Sequence, residues 1–146
     1  MQLDASDTIV AIASARGSAE RGVVRLSGPD AVQLAGQLIG EPISVTASRR
    51  LAKRRLALEL AGDPRSIPVD LFVWPDRRSY TQQPAVEIHT IASPPVLEAI
   101  VHTCEAAGAR LAEPGEFTLR ALMAGRLDLT QAEAVLSVID APNETR

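Results

Sequence analysis

The chain has 146 residues, which is one domain by size, and a chain this long buries about 68–70% of its unfolded surface without disulfide or metal staples. It is 46% hydrophobic and 23% charged with a net charge of −3, so it is neither disordered nor, taken whole, a basic nucleic-acid binder, although a local basic patch stays open. One cysteine excludes a disulfide framework, one cysteine with two histidines argues against a metal site, and 3% aromatic content leaves little for stacking against single strands.

Residues 1–7 carry two aspartates and no basic side chain, the wrong sign for a secretory signal. No apolar run approaches the ~20 residues of a membrane span. A cytoplasmic protein with no membrane partner is the expectation.

Thr8 to Ala13 (TIVAIA) is almost continuously apolar and reads as a buried strand. A loop from Ser14 to Gly22 leads to a second strand, Val23 to Leu26, giving a hairpin with a long tip. Pro29 opens a helix, with Ser27 as its cap. Ala31, Leu34, Ala35, Leu38 and Ile39 repeat at helical spacing, and Gly40 ends the run. Glu41 to Arg50 is weakly patterned. Leu56, Leu58 and Leu60 alternate with Arg55, Ala57 and Glu59, which predicts a strand with one wet face. Gly62 to Arg65 is a turn, Val69 to Trp74 the returning strand, and Pro75 to Ser79 a charged loop.

Ala85 to His89 is the next strand, with Val86 and Ile88 on one face and Glu87 and His89 on the other. Ser93-Pro94-Pro95 starts a helix whose stripe is Val96, Leu97, Ile100, Val101 and Cys104, ending at Gly108. Pro114-Gly115-Glu116 starts another, with Phe117, Ala121 and Leu122 inward and a break at Gly125. Thr130 and Glu133 form a capping box for the last helix, which buries Ala134, Val135, Val138 and Ile139. These elements predict an α+β fold: about five strands in a largely antiparallel sheet, with helices packed on one face. The late apolar helix calls for cover from a following domain or a second subunit.

Chemistry is sparse. There is no GxxxxGK[ST] loop and no GxSxG elbow. Cys104 belongs to a core stripe, His102 has no evident role, and His89 reads as a surface or partly satisfied histidine. Three charged residues stand out. Arg25 and Glu87 each interrupt an apolar strand, and Arg126 follows a helix break at Gly125. Taken singly, each reads as a solvent-facing charge. Together, guanidiniums suit carboxylates, and a carboxylate suits paired N–H donors of a heterocycle.

Five stretches carry a resemblance: Asp7 to Ala13 (DTIVAIA), Val24 to Pro29 (VRLSGP), Ser79-Tyr80-Thr81 followed by Val86-Glu87-Ile88, Ala112 to Thr118 (AEPGEFT) with Arg120-Ala121, and Leu127 to Ala134 (LDLTQAEA) with Ile139-Asp140-Ala141. In order and spacing they resemble the N-terminal domain of the TrmE/MnmE family of tRNA-modification GTPases, over nearly the whole chain. The resemblance implies an N-terminal domain over residues 1–126, with 127–146 as the start of, or link to, a helical domain. The GTPase motifs are absent from these residues, so no GTP hydrolysis is expected of this chain alone.

It further implies a fold like the folate-binding domains of one-carbon enzymes, a homodimer, and binding of 5-formyl-tetrahydrofolate or a related folate. Arg25, Glu87 and Arg126 fall on the family's folate-contacting positions, the last commonly a lysine. No catalytic residue and no metal ligand is implied. In the longer family proteins the partners are a GidA/MnmG-type flavoprotein and tRNA, whose wobble uridine is modified. The family's glycine-rich turn after the Glu87 strand reads Thr90-Ile-Ala-Ser93 here. A dimerisation scaffold that has lost the folate is the alternative reading.

Overall fold

The computed structural model describes residues 6–13, 21–125 and 128–140, the side chains of 138–140 excepted. Among these residues six strands form one sheet: β1 Ile9–Ile12, β2 Arg21–Ser27, β3 Arg49–Leu60, β4 Asp63–Trp74, β5 Ala85–Ile91 and β6 Arg110–Leu111. Their order is β3-β4-β5-β2-β1-β6, antiparallel throughout except for the parallel β1–β6 pair. The expected α+β class and antiparallel bias hold. The extra strand is the two-residue β6, too short to show a period in the sequence.

Helices α1 (Ala31–Ile39) and α2 (Pro94–Ala106) cover one face. There Val24, Leu26, Leu71, Val73, Val86 and Ile88 meet Leu34 and Ala35 of α1 and Leu97, Ile100 and Cys104 of α2. The predicted stripes of both helices are the ones buried. Burial pushes the Cys104 thiol up to about 12, so it stays protonated and acts as a small apolar filler.

Several expectations shift in detail. Leu51 and Leu56 both face the helices although they stand an odd number of residues apart. A bulge between Leu51 and Arg54 makes this possible, with Lys53 at φ 57°. Asp70 pins that bulge, accepting from the Lys53 amide at 3.0 Å and from Arg50 Nη2 at 2.9 Å, and these two bonds hold its carboxyl below the usual value. The β3–β4 turn sits at Ala61-Gly62, both at positive φ, so Asp63, Pro64 and Arg65 belong to β4 rather than to the turn.

Ser27 does not cap α1. The Thr8 hydroxyl accepts from the Asp30 amide instead, and Ser27 bonds Thr81 across the sheet end. The last helix, α4 (Leu129–Asp140), is capped by Asp128 and Gln131 in reciprocal bonds, not by Thr130 and Glu133. That earlier start turns Ala132 inward and leaves Ala134 and Val135 exposed. Val138 and Ile139 lie outside the described side chains.

Gly28 is required by its surroundings. At φ +140°, a Cβ there would stand 2.5 Å from Thr8 Cα. Closing the sheet's end needs that approach, because the Gly28 amide also donates to the Pro84 carbonyl at 2.9 Å.

Helix α3 (Glu116–Met123) departs furthest from its amphipathic reading. Glu116, Thr118, Arg120 and Ala121 are buried, and Phe117 and Leu122 only half-buried. The reason is an ion cluster. Arg110 Nε donates to Asp7 Oδ2 and Arg110 Nη2 to Glu116 Oε2, each at 2.6 Å. Arg120 Nη2 donates to Asp7 Oδ1 at 2.6 Å and Arg120 Nη1 to Gln83 Oε1 at 3.1 Å. The Arg110 guanidinium holds the Asp7 carboxyl below its ordinary value. Burial pushes Glu116 up, but Arg110, the Glu113 amide and Arg120 outweigh it, and the net shift is downward.

Two predictions follow from these contacts. Gly28→Ala should lose more than about 2 kcal/mol in urea unfolding, since it meets fixed backbone as well as a disfavoured φ. Gly40→Ala, whose Cβ would meet nothing within 4 Å, should lose about 1 kcal/mol; equal losses would remove the packing argument. The lowered carboxyls stabilise the fold fully above their unfolded pKa values, near 4, and that stability disappears as pH falls through their folded values. Glu116→Gln should therefore cost about 3 kcal/mol at neutral pH, as for a broken buried ion pair, and flatten the acid limb of stability against pH.

Candidate functional site

The face of the sheet opposite α1 and α2 is polar where the other is apolar. Alternation along β2 turns Arg25 away from Val24 and Leu26, and along β5 it turns Glu87 away from Val86 and Ile88. Arg25 and Glu87 are direct cross-strand partners. Arg25 Nε and Nη2 reach Glu87 Oε2 at 3.1 and 2.9 Å. His89, two residues on and so on the same face, places Nε2 3.0 Å from Glu87 Oε1. Because a carboxylate only accepts, Nε2 is the donor. The His89 ring packs on Phe72 of β4 with centroids 4.7 Å apart, and the Arg25 guanidinium lies 5.6 Å over the Phe117 ring.

Arg25 and Glu87 form one wall of a cleft of about 80 Å³ whose other walls are Trp74, Tyr80 and Ala85 and whose floor is Ser27, Ser79 and Thr81. The floor is a chain of buried hydroxyls. Ser27 Oγ and Thr81 Oγ1 are 2.6 Å apart, and Ser79 Oγ donates to the Gln83 carbonyl at 2.5 Å. A wider depression of about 510 Å³ continues past Arg25 and Tyr80 to Gly115, Phe117, Thr118 and Val135. Tyr80 Oη lies 3.4 Å from Thr118 Oγ1, tying the 79–84 loop to α3.

Of the three charged residues singled out in the sequence, the structure brings Arg25 and Glu87 into one ion pair. Arg126 lies outside the described residues. The turn Thr90 to Ser93 lines neither cavity. Thr90 is buried on the helix-covered side, with its hydroxyl on the Pro68 carbonyl at 2.9 Å. His89 is the partner that sequence reasoning missed, and its i, i+2 relation to Glu87 was the available signal. The aromatic content was misleading in a similar way. All four aromatic side chains, Phe72, Trp74, Tyr80 and Phe117, gather around this one face. Chemically, the site offers a carboxylate acceptor, a guanidinium donor, flat apolar walls and hydroxyls, which suits a flat heterocycle bearing N–H donors and an anionic group.

Residues 8–126 match the family model described as GTP-binding protein TrmE N-terminus. The chain is 48% identical over 141 residues to a tRNA modification GTPase MnmE of Rhodopirellula baltica, covering 97% of this chain and 30% of that protein. It is 43% identical over 138 residues to the tRNA modification GTPase MnmE of Thiobacillus denitrificans, covering 92% of the chain and 29% of the relative. With that of Thermus thermophilus it shares 41% identity over 148 residues, covering 97% and 33%. The chain thus spans about a third of the length of the curated relatives it matches. With the motif blocks in order on an α+β scaffold, the chain belongs to the family of TrmE/MnmE N-terminal domains.

Proposed function

We propose that this chain is the folate-binding and dimerising part of a tRNA-modification GTPase. The observation that carries the reading is the Arg25–Glu87 pair beside a cleft walled by Trp74 and Tyr80. A reduced folate has a flat pyrimidinone ring with an amino group and ring N–H donors on one edge, and a glutamate tail that carries carboxylates. Glu87 is the acceptor for such an edge, and Trp74, Tyr80 and Phe117 are its apolar walls. Arg25, and Arg126 by its place in the family pattern, supply positive charge for the tail. When bound, a formyl-tetrahydrofolate would supply one-carbon chemistry; the residues here bind and orient it. The tRNA wobble uridine and a flavoprotein partner belong to this same proposal, by way of the relatives.

A second reading has its own observation. Arg25 and Glu87 satisfy each other without a ligand, which is also what a scaffold that had lost the folate would show. Titration with 5-formyl-tetrahydrofolate decides between the two. Saturable binding should drop about 10- to 150-fold in Glu87→Ala, the loss of charged hydrogen bonds of roughly 1.5–3 kcal/mol. Glu59→Ala, on an exposed position of β3, should leave it unchanged. Equal binding by both variants would sink the site assignment, and no binding by the unmutated chain would leave the scaffold reading.

Assembly is the other half. Leu111, Met123 and Leu129 are large apolar side chains, each close to half exposed or more, on β6, α3 and α4. They support a twofold, isologous interface. Sedimentation at tens of micromolar, by order of magnitude, should show a dimer; a monomer throughout would refute this.

A further inference from the structure

We propose that the free edge of the sheet, with the groove between Arg49 and Trp74, binds a single-stranded segment of RNA. The inference rests on reading the chain as part of a tRNA-modifying protein, and it concerns a surface that meets the folate cleft only at Trp74. Arg49, Arg50, Lys53, Arg54 and Arg55 fall within seven consecutive positions of a chain whose net charge is −3. They lie on β3, the outermost strand, whose outer edge is unpaired among the described residues. Arg77 and Arg78 follow β4 just past Val73, which is the cross-strand partner of Arg49.

Acidic neighbours take up part of this charge. Asp70 pairs with Arg50 at 2.9 Å, Glu41 with Arg54 at 2.5 Å, and Asp76 lies 3.8 Å from Arg78. Among the described residues no ion pair reaches Arg49, Lys53 or Arg77, and all three are exposed. A groove of about 300 Å³ at this end is lined by Ser48, Arg49, Arg50, Phe72, Val73 and Trp74. The Arg50 guanidinium lies 5.8 Å over the Phe72 ring.

Exposed guanidiniums beside aromatic faces match a polymer that alternates phosphates with flat bases. An acidic protein surface would use the cations and leave Trp74 idle. A duplex would meet the phosphate contacts but present no open base to the rings. The bulge at Lys53 also breaks the regular hydrogen-bonding edge of β3, a feature that disfavours sheet extension and leaves the edge to side-chain contacts.

The test is fluorescence anisotropy with a labelled oligouridylate and an unmodified tRNA transcript. Arg49→Glu/Lys53→Glu/Arg77→Glu should weaken binding at least about 10-fold and make the salt dependence shallower by about two units of slope, near 0.7 per lost single-strand phosphate contact. Trp74→Ala should weaken it about 5- to 150-fold. Arg65→Glu, on the helix-covered side of the hairpin, should change it less than about twofold. A triple variant that melts normally yet binds RNA as the parent does would overturn the proposal. So would equal competition by polyglutamate together with indifference to Trp74→Ala, which would mark an acidic protein partner. Trp74 is shared by both surfaces, but the three reversed side chains lie outside the folate cleft, so the triple variant tests the two ideas separately. Folate binding without RNA binding defeats this inference alone; RNA binding lost in the triple variant, with no folate binding in the parent, defeats only the folate reading.

Discussion

The cluster of Asp7, Arg110, Glu116 and Arg120 decides what the open face of the sheet can be. Helix α3 has eight residues and buries mainly polar side chains, too little apolar area to hold itself in place. Its position comes from Glu116 and Arg120, which reach Arg110 on β6 and Asp7 ahead of β1. Arg120 also reaches Gln83, so the 79–84 loop is tied into the same cluster. Loop and helix are the two rims of the cleft beside Arg25. Gly115 starts α3 at φ 78° and meets the Leu136 side chain, so α4 stacks where any Cβ would intrude. Buried charge of this kind contributes geometry more than net stability, because desolvation offsets much of the attraction.

A second constraint acts at the other edge. Core residues Leu51 and Leu56 need opposite parity on one strand, and the Lys53 bulge supplies it. The bulge falls within the run of cations from Arg49 to Arg55, on the strand that has no outer neighbour among the described residues. Asp70 secures the bulge, and its cross-strand partner is His89, which in turn bonds Glu87. Backbone geometry at the edge and the Glu87 carboxylate are thus joined by two adjacent pairs on the open face.

What the sequence disclosed was the part governed by period. The alternation in β5 put Val86 and Ile88 opposite Glu87 and His89, and the stripe from Val96 to Cys104 was the buried face of α2. Arg25 and Glu87 drew notice because charge interrupted apolar strands, and the register made them partners. Missed features depend on long-range contact. Glu116 and Arg120 look like surface charges on a short helix; Arg110 on β6 satisfies the first, and Asp7, more than a hundred residues away along the chain, the second. Ser27 looked like a cap because it precedes Pro29, but Thr81 reaches it from a distant loop. Two-residue β6 carries no period at all.

The Glu87 carboxylate shows how much room a ligand would have. A carboxylate offers about four lone-pair directions. Arg25 takes two on Oε2 and His89 takes one on Oε1. A heterocycle presenting two parallel N–H donors therefore cannot simply be added; Arg25 must yield one of its two contacts. Its guanidinium lies 5.6 Å over the Phe117 ring, a contact that would keep it near if it yielded. Without a ligand, half-buried Glu87 is already paired with Arg25 and His89, which is what allows a cleft this polar to exist on the folded sheet.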